Sequence, residues 1–408
     1  MALIVLAAPT LQAAVTGRVA SIGFQSFIRL SEWTPMVVQI SSDEPAPHTY
    51  DLQVVQNDLD GDEVIYTRRG ITVNPGTNTF RTYFRPETAN GGLPASGTDS
   101  GNEFAKRLRV FLFDPETRKP AVRLGVAGAL PQALEHGELV GEGMLSQKLV
   151  LVVGRSPSTI EFAPGRERVI GLAESVFFVS IDSIRLPESA LAYGGVDAVV
   201  WTDAEASKLA PVQLRALRQY VQSGGTLAVI QHNDLSRTAP LSDMLPVKSV
   251  TPKEWPERQP LASLLLPRDE PAPRTAVGRL IDTWERAAPP FRMADSEVAD
   301  ATTFVEAWTN WPDGHRSPMI ARRLFGLGCV AWLAEDVSDP TVANVSFGWP
   351  RLWQRLFDWR DNSLTFTATL QSENDTKLAK ALMRRMPGVT SAGRSFGAQT
   401  STAARPPM

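Results

Sequence analysis

The sequence predicts an α/β protein, with an N-terminal antiparallel β-sandwich over residues 15–126 followed by a parallel-sheet domain over residues 146–360. Three observations support this expectation. The first part of the chain consists of short runs in which apolar and polar residues partly alternate, the period of a half-buried strand. From residue 148 the runs become continuously apolar, as in strands buried on both faces. Between two of these runs lies a segment of helical period, opened by a proline and closed by glycines, the pattern of a crossover helix.

In the sandwich region, Arg18 to Ile22, Thr34 to Ile40, Tyr50 to Val55, Glu63 to Arg68, Thr79 to Phe84 and Leu108 to Phe113 are expected strands. Their β-branched and aromatic content and their spacing fit a small antiparallel sandwich. Ala89 to Asn102, rich in Gly, Ser, Thr and Asn, is an expected loop. Asp58 to Glu63 superficially resembles a calcium loop, but from Asp58 the sixth position is Glu63 and the twelfth is Arg69. An EF-hand needs glycine and glutamate there, so a hairpin turn centred on Asp60 and Gly61 is the simpler expectation.

In the second part, Leu149 to Gly154, Ser175 to Val179, Val196 to Trp201 and Thr226 to Ile230 are expected buried strands. Pro211 to Gln222 is an expected helix: Leu214, Leu217 and Val221 share one face, Pro211 suits the first turn, and Ser223-Gly224-Gly225 stops it. The stretch 251–300 is an expected proline-rich insertion. It carries eight of the 31 prolines, from Pro252 to Pro290, with a short helix from Thr275 to Ala287. Phe304 to Trp308 resumes the sheet, and Pro318 to Arg323 and Cys329 to Leu333 form a hairpin about a turn at Phe325 to Gly328. A helix from Trp349 to Trp359 closes the domain. Residues 361–408 are expected to be a short helix and a disordered basic tail, with Lys377, Lys380, Arg384, Arg385, Arg394 and Arg405 and no acid after Asp375.

Composition narrows the function classes. Hydrophobic residues at 43% and charged residues at 21% are globular values. A net charge of −3 supplies no field for nucleic acid. One cysteine, Cys329, excludes an intrachain disulfide and a cysteine-cluster zinc site, and no cofactor motif is present. Residues 1–14 form a short apolar run ending in small residues, an expected signal segment cut after Ala13 or Ala14. It lacks the usual basic n-region, and the alternative is a buried first strand or helix. The run is too short to span a bilayer, so the expected location is periplasmic or exported, with no transmembrane segment. The expected partner is an envelope or membrane protein.

The stretch Tyr193 to Asp234, YGGVDAVVWTDAEASKLAPVQLRALRQYVQSGGTLAVIQHND, resembles the core of the class I glutamine amidotransferase-like fold, a flavodoxin-like parallel sheet. Ser317 to Asp336, SPMIARRLFGLGCVAWLAED, is similar to a second segment found in bacterial envelope proteins that pair this domain with a β-sandwich. The resemblance implies a cysteine nucleophile on a glycine-flanked strand-to-helix elbow, activated by a His-Glu pair. A turn of that shape exposes the sulfur and builds an oxyanion hole from backbone N–H groups. This sequence has Gln231 at that position and no flanking glycine. Glutamine is no nucleophile of that kind, so the expected function is non-catalytic binding or scaffolding in the cell envelope.

The candidate ligand crevice lies at the carboxyl ends of the parallel strands, where open α/β sheets bind ligands. Thr202 and Asp203 end one strand, Gln231, His232 and Asp234 the next, and Glu335 and Asp336 a third. If these groups converge, the alternative function is a hydrolase or small-ligand-binding enzyme using an Asp/His crevice. The competing role for Asp203 and Asp234 is to cap the turns that follow. Cys329 opens an apolar strand after Gly326-Leu327-Gly328, which fits a small buried hydrophobe better than a nucleophile.

Overall fold

The computed structural model describes residues 15–58, 60–87, 107–126, 132–134, 147–156, 175–231, 235–255, 291–335, 352–353 and 356–357. The expected signal segment 1–14, the loop 89–102, the expected helix Thr275 to Ala287 and the tail 361–408 lie outside the described residues.

Strands β1 (Val15–Ile22), β3 (Thr34–Ser42) and β6 (Gly76–Phe84) form one antiparallel sheet in the order β1-β3-β6. Strands β4 (His48–Asn57), β5 (Glu63–Val73), β7 (Arg109–Asp114) and β8 (Lys119–Leu124) form a second, ordered β5-β4-β7-β8. Alternation decides which side chains enter the core. Along β3, Thr34, Met36, Val38, Ile40 and Ser42 point inward, and along β4 Tyr50, Leu52 and Val54 do. Both sheets feed one cluster that also holds Ile71, Val110 and Leu112. Each such side chain contributes roughly 1.5–3 kcal/mol when fully buried. The β4–β5 hairpin turns where expected: Gly61 has φ +92°, and Asp58 Oδ1 accepts the amides of Asp60 and Asp62.

The second part is a seven-stranded sheet. Its strands are β10 (Gln147–Val153), β11 (Ser175–Ile181), β12 (Ala198–Trp201), β13 (Thr226–Ile230), β16 (Phe304–Asn310), β17 (Arg316–Phe325) and β18 (Gly328–Leu333). The order is β11-β10-β12-β13-β18-β17-β16. The five strands from β11 to β18 run parallel, and β17 and β16 add an antiparallel edge, so the sheet is mixed. Counted in chain order, the parallel strands follow the sequence 2-1-3-4-5 of doubly wound sheets, whose switch point lies between the first and third strands. Here those strands are β10 and β12.

The apolar runs feed two cores at once. Val150 and Val152 enter the cluster with Ala228, Leu333 and Trp353, whereas Leu149, Leu151 and Val153 enter the cluster on the other face. Helix α1 (Pro211–Gln222) covers that second face with Ala216, Leu217, Tyr220 and Val221. Gln213 Oε1 accepts the Ala210 amide at its start, and Gly225 N–H donates to Tyr220 O at its end. The β17–β18 hairpin packs against that end, where a Cβ on Gly328 would stand 2.0 Å from Val221 O. Leu352, Trp353, Leu356 and Phe357 are helical and buried in the first core, within the expected closing helix.

The two parts share a seam. Strand β2 (Phe27–Arg29) pairs in parallel with β9 (Gln132–Leu134), and Phe24 and Phe27 pack into the core beneath α1. Arg29 Nη2 meets Asp197 Oδ2 at 2.8 Å, Arg81 donates to Ile184 O and Leu186 O, and Tyr83 Oη accepts the Glu188 amide.

The reading of 251–300 as irregular needs correction at both ends. Strands β14 (Val247–Trp255) and β15 (Phe291–Val298) pair as an antiparallel ribbon. The ribbon docks past the end of β18 through a bridge between Met293 and Glu335 and a bond from Ala294 N–H to Ala334 O. Pro252 is tolerated because a two-stranded ribbon consists of edges, where a missing N–H leaves no ladder gap. Residues 256–290 between the two strands lie outside the described residues.

Candidate functional site

Thr202 follows β12 at the switch point, and its hydroxyl turns back onto β10. Thr202 Oγ1 lies 2.9 Å from Arg155 O and 3.1 Å from Val153 O, and its amide donates to Val153 O. Asp203 Oδ1 accepts the Arg155 amide at 2.7 Å. Gly154 sits between them at φ +104°, so close that a Cβ would come within 2.6 Å of Thr202 Oγ1 and 2.8 Å of Asp203 Oδ1. Thr202 and Asp203 are therefore bonded to the turn after β10. An anion could not use the Arg155 amide without displacing the Asp203 carboxylate.

Gln231 follows β13 and is 5% exposed. Its amide donates to Leu333 O, and its Oε1 accepts the Thr238 hydroxyl at 2.8 Å. Thr238 is fully buried in the short 3-10 segment Leu235–Leu241. Glu335, 1% exposed, ends β18 beneath the ribbon at its bridge to Met293. Thr202, Gln231 and Glu335 thus stand at the ends of three successive strands. Thr202 and Asp203 share a hydrogen-bonded cluster with the turn after β10. His232, Asp234 and Asp336 lie outside the described residues. Cys329 is half-buried at the start of β18, and its amide donates to Gly225 O.

Sequence reasoning missed a second polar cluster, at the antiparallel edge of the sheet. Trp311-Pro312-Asp313-Gly314-His315 joins β16 to β17 as a tight turn, with Gly314 at φ +89° and its amide on Trp311 O. This x-Pro-Asp-Gly-x pattern was the available signal. The turn places His315 parallel to the Trp311 ring, with centroids 5.6 Å apart. His315 Nδ1 lies 2.6 Å from Asp313 Oδ1, and Nε2 lies 2.9 Å from Asp295 Oδ1 on β15. Lys253 Nζ holds the other Asp295 oxygen at 2.5 Å and stands over the Trp311 ring.

The electrostatics follow from this geometry. Hydrogen bonds to Asp295 and then to Asp313 raise the His315 pKa above its ordinary value. Partial burial pulls Asp295 upward, but the bonds from Lys253 and His315 outweigh it and hold the carboxyl below the usual range. Beside this cluster opens a pocket of about 400 Å³ lined by residues of β14, β15, β16 and β17, including Asp295, Ser296, Trp308 and His315.

No protein-family model matches the chain, and no curated protein matches it. Solved structures with partial similarity include the β-galactosidase of Bacillus circulans sp. alkalophilus, at 13% identity and TM-score 0.30, over 52% of this chain and 30% of that one. A catalytic mutant of Gan42B, a GH42 β-galactosidase of G. stearothermophilus, aligns at 9% identity and TM-score 0.31, over 54% and 31%. The exo-β-1,4-mannosidase Op5Man5 of Opitutaceae bacterium strain TAV5 aligns at 12% identity and TM-score 0.26, over 56% and 37%. The chain therefore spans about a third of the length of these proteins. At such scores the likeness carries no argument about fold or chemistry.

Proposed function

We propose that the seven-stranded sheet is a degenerate class I glutamine amidotransferase-like domain, set after a β-sandwich, which binds or scaffolds a partner in the bacterial cell envelope. The observation that carries this reading is Gln231. At the strand end where the resemblance calls for a nucleophile, a buried glutamine spends its side-chain oxygen on Thr238. The 2-1-3-4-5 order of the parallel strands supports the fold assignment, and the extended N-terminal sheets support a binding role. Support for the envelope is the apolar segment of residues 1–14. Among the described residues no helix is long and apolar enough to cross a membrane. The enzymatic alternative, a hydrolase built on the strand-end crevice, is weakened because Thr202 and Asp203 are already committed to the Gly154–Arg155 turn.

The test pairs chemistry with binding. The purified full chain should release no ammonia from glutamine and cleave no activated amide or ester. Cross-linking in intact cells, followed by solubilisation of envelope membranes, should retain one partner in fixed stoichiometry. Turnover abolished by Gln231→Ala, or the absence of any stoichiometric partner, would overturn the proposal.

A further inference from the structure

The pocket between the β14–β15 ribbon and the β16–β17 hairpin lies apart from the strand-end residues on which the proposed function rests. Four ionisable side chains line it: Asp295, Glu297, His315 and Arg316. Its volume, about 400 Å³, falls inside the range of roughly 300–1,000 Å³ typical of small-molecule sites.

We propose that this pocket binds a small organic monocarboxylate, with the Arg316 guanidinium as the group that holds its carboxylate. The distribution of charge decides this. Asp295, Glu297 and Asp313 each have a basic partner. Lys253 meets Asp295 at 2.5 Å, Lys248 meets Glu297 at 3.7 Å, and His315 meets Asp313 at 2.6 Å as well as Asp295 at 2.9 Å. Arg316 has no acidic partner among the described residues; its guanidinium stands over the Trp308 ring, 4.9 Å from the centroid. One uncompensated cation calls for one negative charge. A dianion such as a phosphate monoester would set its second charge beside Asp295 and Glu297, where like charges repel. A cationic ligand would meet Arg316 itself and carboxylates that are already paired.

The hydrogen-bonding groups point the same way. A guanidinium over an indole spends its flat face on the ring and keeps its N–H edge, the fork that matches a carboxylate bidentately. Trp308 is 40% exposed, so this stacked pair stands in the open wall of the pocket and not in the core. The ribbon adds the hydroxyls of Ser249 and Thr251, both exposed and neither hydrogen-bonded through its side chain among the described residues. They lie at the β14 bulge, where the register shifts between Lys248 and Thr251 and Ser249 adopts φ +54°. That backbone is strained for a non-glycine residue, and bulges of this kind re-aim side chains beside binding sites. The pocket's uncommitted groups are therefore donors, whereas both oxygens of its Asp295 carboxylate are engaged. Such a set suits an acceptor-only carboxylate. Val298 and Pro318 supply apolar wall for the rest of the ligand.

The experiment is a ligand-observed NMR and calorimetric titration of the purified full chain at low ionic strength. The probes are acetate, butyrate and benzoate, each beside its neutral amide, with phenyl phosphate as the dianion and benzylamine as the cation. At least one carboxylate should bind saturably, with its amide, phenyl phosphate and benzylamine each about tenfold weaker or worse. Arg316→Gln should weaken that carboxylate about tenfold or more, and Arg316→Lys, which keeps the charge without the fork, should fall between. Arg215→Gln, at an exposed position on α1, should bind like wild type. Arg316 is exposed, so the melting temperature of its variants should stay at the wild-type value. The proposal fails if no carboxylate saturates, if an amide, phenyl phosphate or benzylamine binds as tightly as the best carboxylate, or if Arg316→Gln binds like wild type. Equal losses in Arg316→Gln and Arg215→Gln would reduce the effect to diffuse charge and overturn it as well. None of these outcomes bears on Gln231, so this site and the proposed sheet function are tested separately.

Discussion

The Thr238 hydroxyl donates to Gln231 Oε1 at 2.8 Å, and both side chains are withdrawn from solvent. The strand end is therefore knitted to the segment that follows instead of presenting a reactive group. Thr238→Val removes the donor and leaves the shape nearly unchanged. It should cost about 1–3 kcal/mol, read as a lower urea midpoint at constant m-value. A change below a few tenths of a kcal/mol would show that this bond is not holding the strand end. Gln231→Cys should fold yet acquire no glutaminase activity, because no flanking glycine is there to shape an elbow.

Gly154 packs the turn after β10 tightly against Thr202 and Asp203. At φ +104° an L side chain is strained, and a Cβ would press on Thr202 Oγ1 and Asp203 Oδ1. Gly154→Ala should destabilise the chain by about 1–3 kcal/mol, seen in thermal unfolding. Asp203→Asn keeps an oxygen for the Arg155 amide and should cost less than Asp203→Ala. Amide exchange at Arg155 should quicken in Asp203→Ala alone, and equal protection in all three proteins would contradict the clamp.

Arg29 and Asp197 couple the two parts of the molecule. The Arg29 side chain is 6% exposed, Asp197 is 22% exposed, and Asp197 Oδ2 also accepts the Leu149 amide at 2.7 Å. Removing the Asp197 carboxylate takes away the acceptor of both a mostly buried guanidinium and the Leu149 amide. Asp197→Ala should therefore cost roughly 3 kcal/mol. Calorimetry should show the single transition of the wild type splitting as the seam loosens. A variant that still unfolds in one transition at the wild-type temperature would show that the seam does not depend on this pair.

The parts legible in the sequence are those where local pattern and burial agree. Helix α1 and strand β13 fall at their expected boundaries, because Pro211 and Ser223-Gly224-Gly225 mark one and an unbroken apolar run marks the other. Strand β8 escaped notice because KPAVRL carries two charges and a proline, which only a sheet edge accepts. Strands β14 and β15 escaped because proline content across 251–300 outweighed the alternation at its two ends. The His315 cluster was hidden for a different reason. Asp295 and His315 are brought together by a hairpin turn, which the Pro312-Asp313-Gly314 pattern marks, and by ribbon docking, which no sequence motif marks. Thr202 and Asp203 end a strand where the sequence places them, but their bonds to Val153 and Arg155 depend on the adjacent strand and carry no sequence signal.

Ionisation of His315 sets a pH dependence for the ribbon contact. Its folded pKa is raised above the ordinary 6.5 by bonds to Asp295 and Asp313. Stabilisation from a raised histidine is complete below 6.5 and is lost as pH rises through the folded value. The Asp313 carboxyl is held low by its bonds from His315, and Asp295 by Lys253 and His315 against the opposing pull of burial. Their contributions are present above the ordinary carboxylate value of 3.8 and are lost as pH falls through their lowered folded values. The contact is therefore strongest between 3.8 and 6.5, where the imidazolium faces two carboxylates with Lys253 beside them. The stability difference between wild type and His315→Gln should be largest near about pH 5.5 and shrink towards about pH 8.5. The exposure of these side chains keeps the effect modest, so the decisive readout is the His315 titration by NMR. An imidazole pKa at or below 6.5 would mean that Asp295 and Asp313 do not hold the ring in solution.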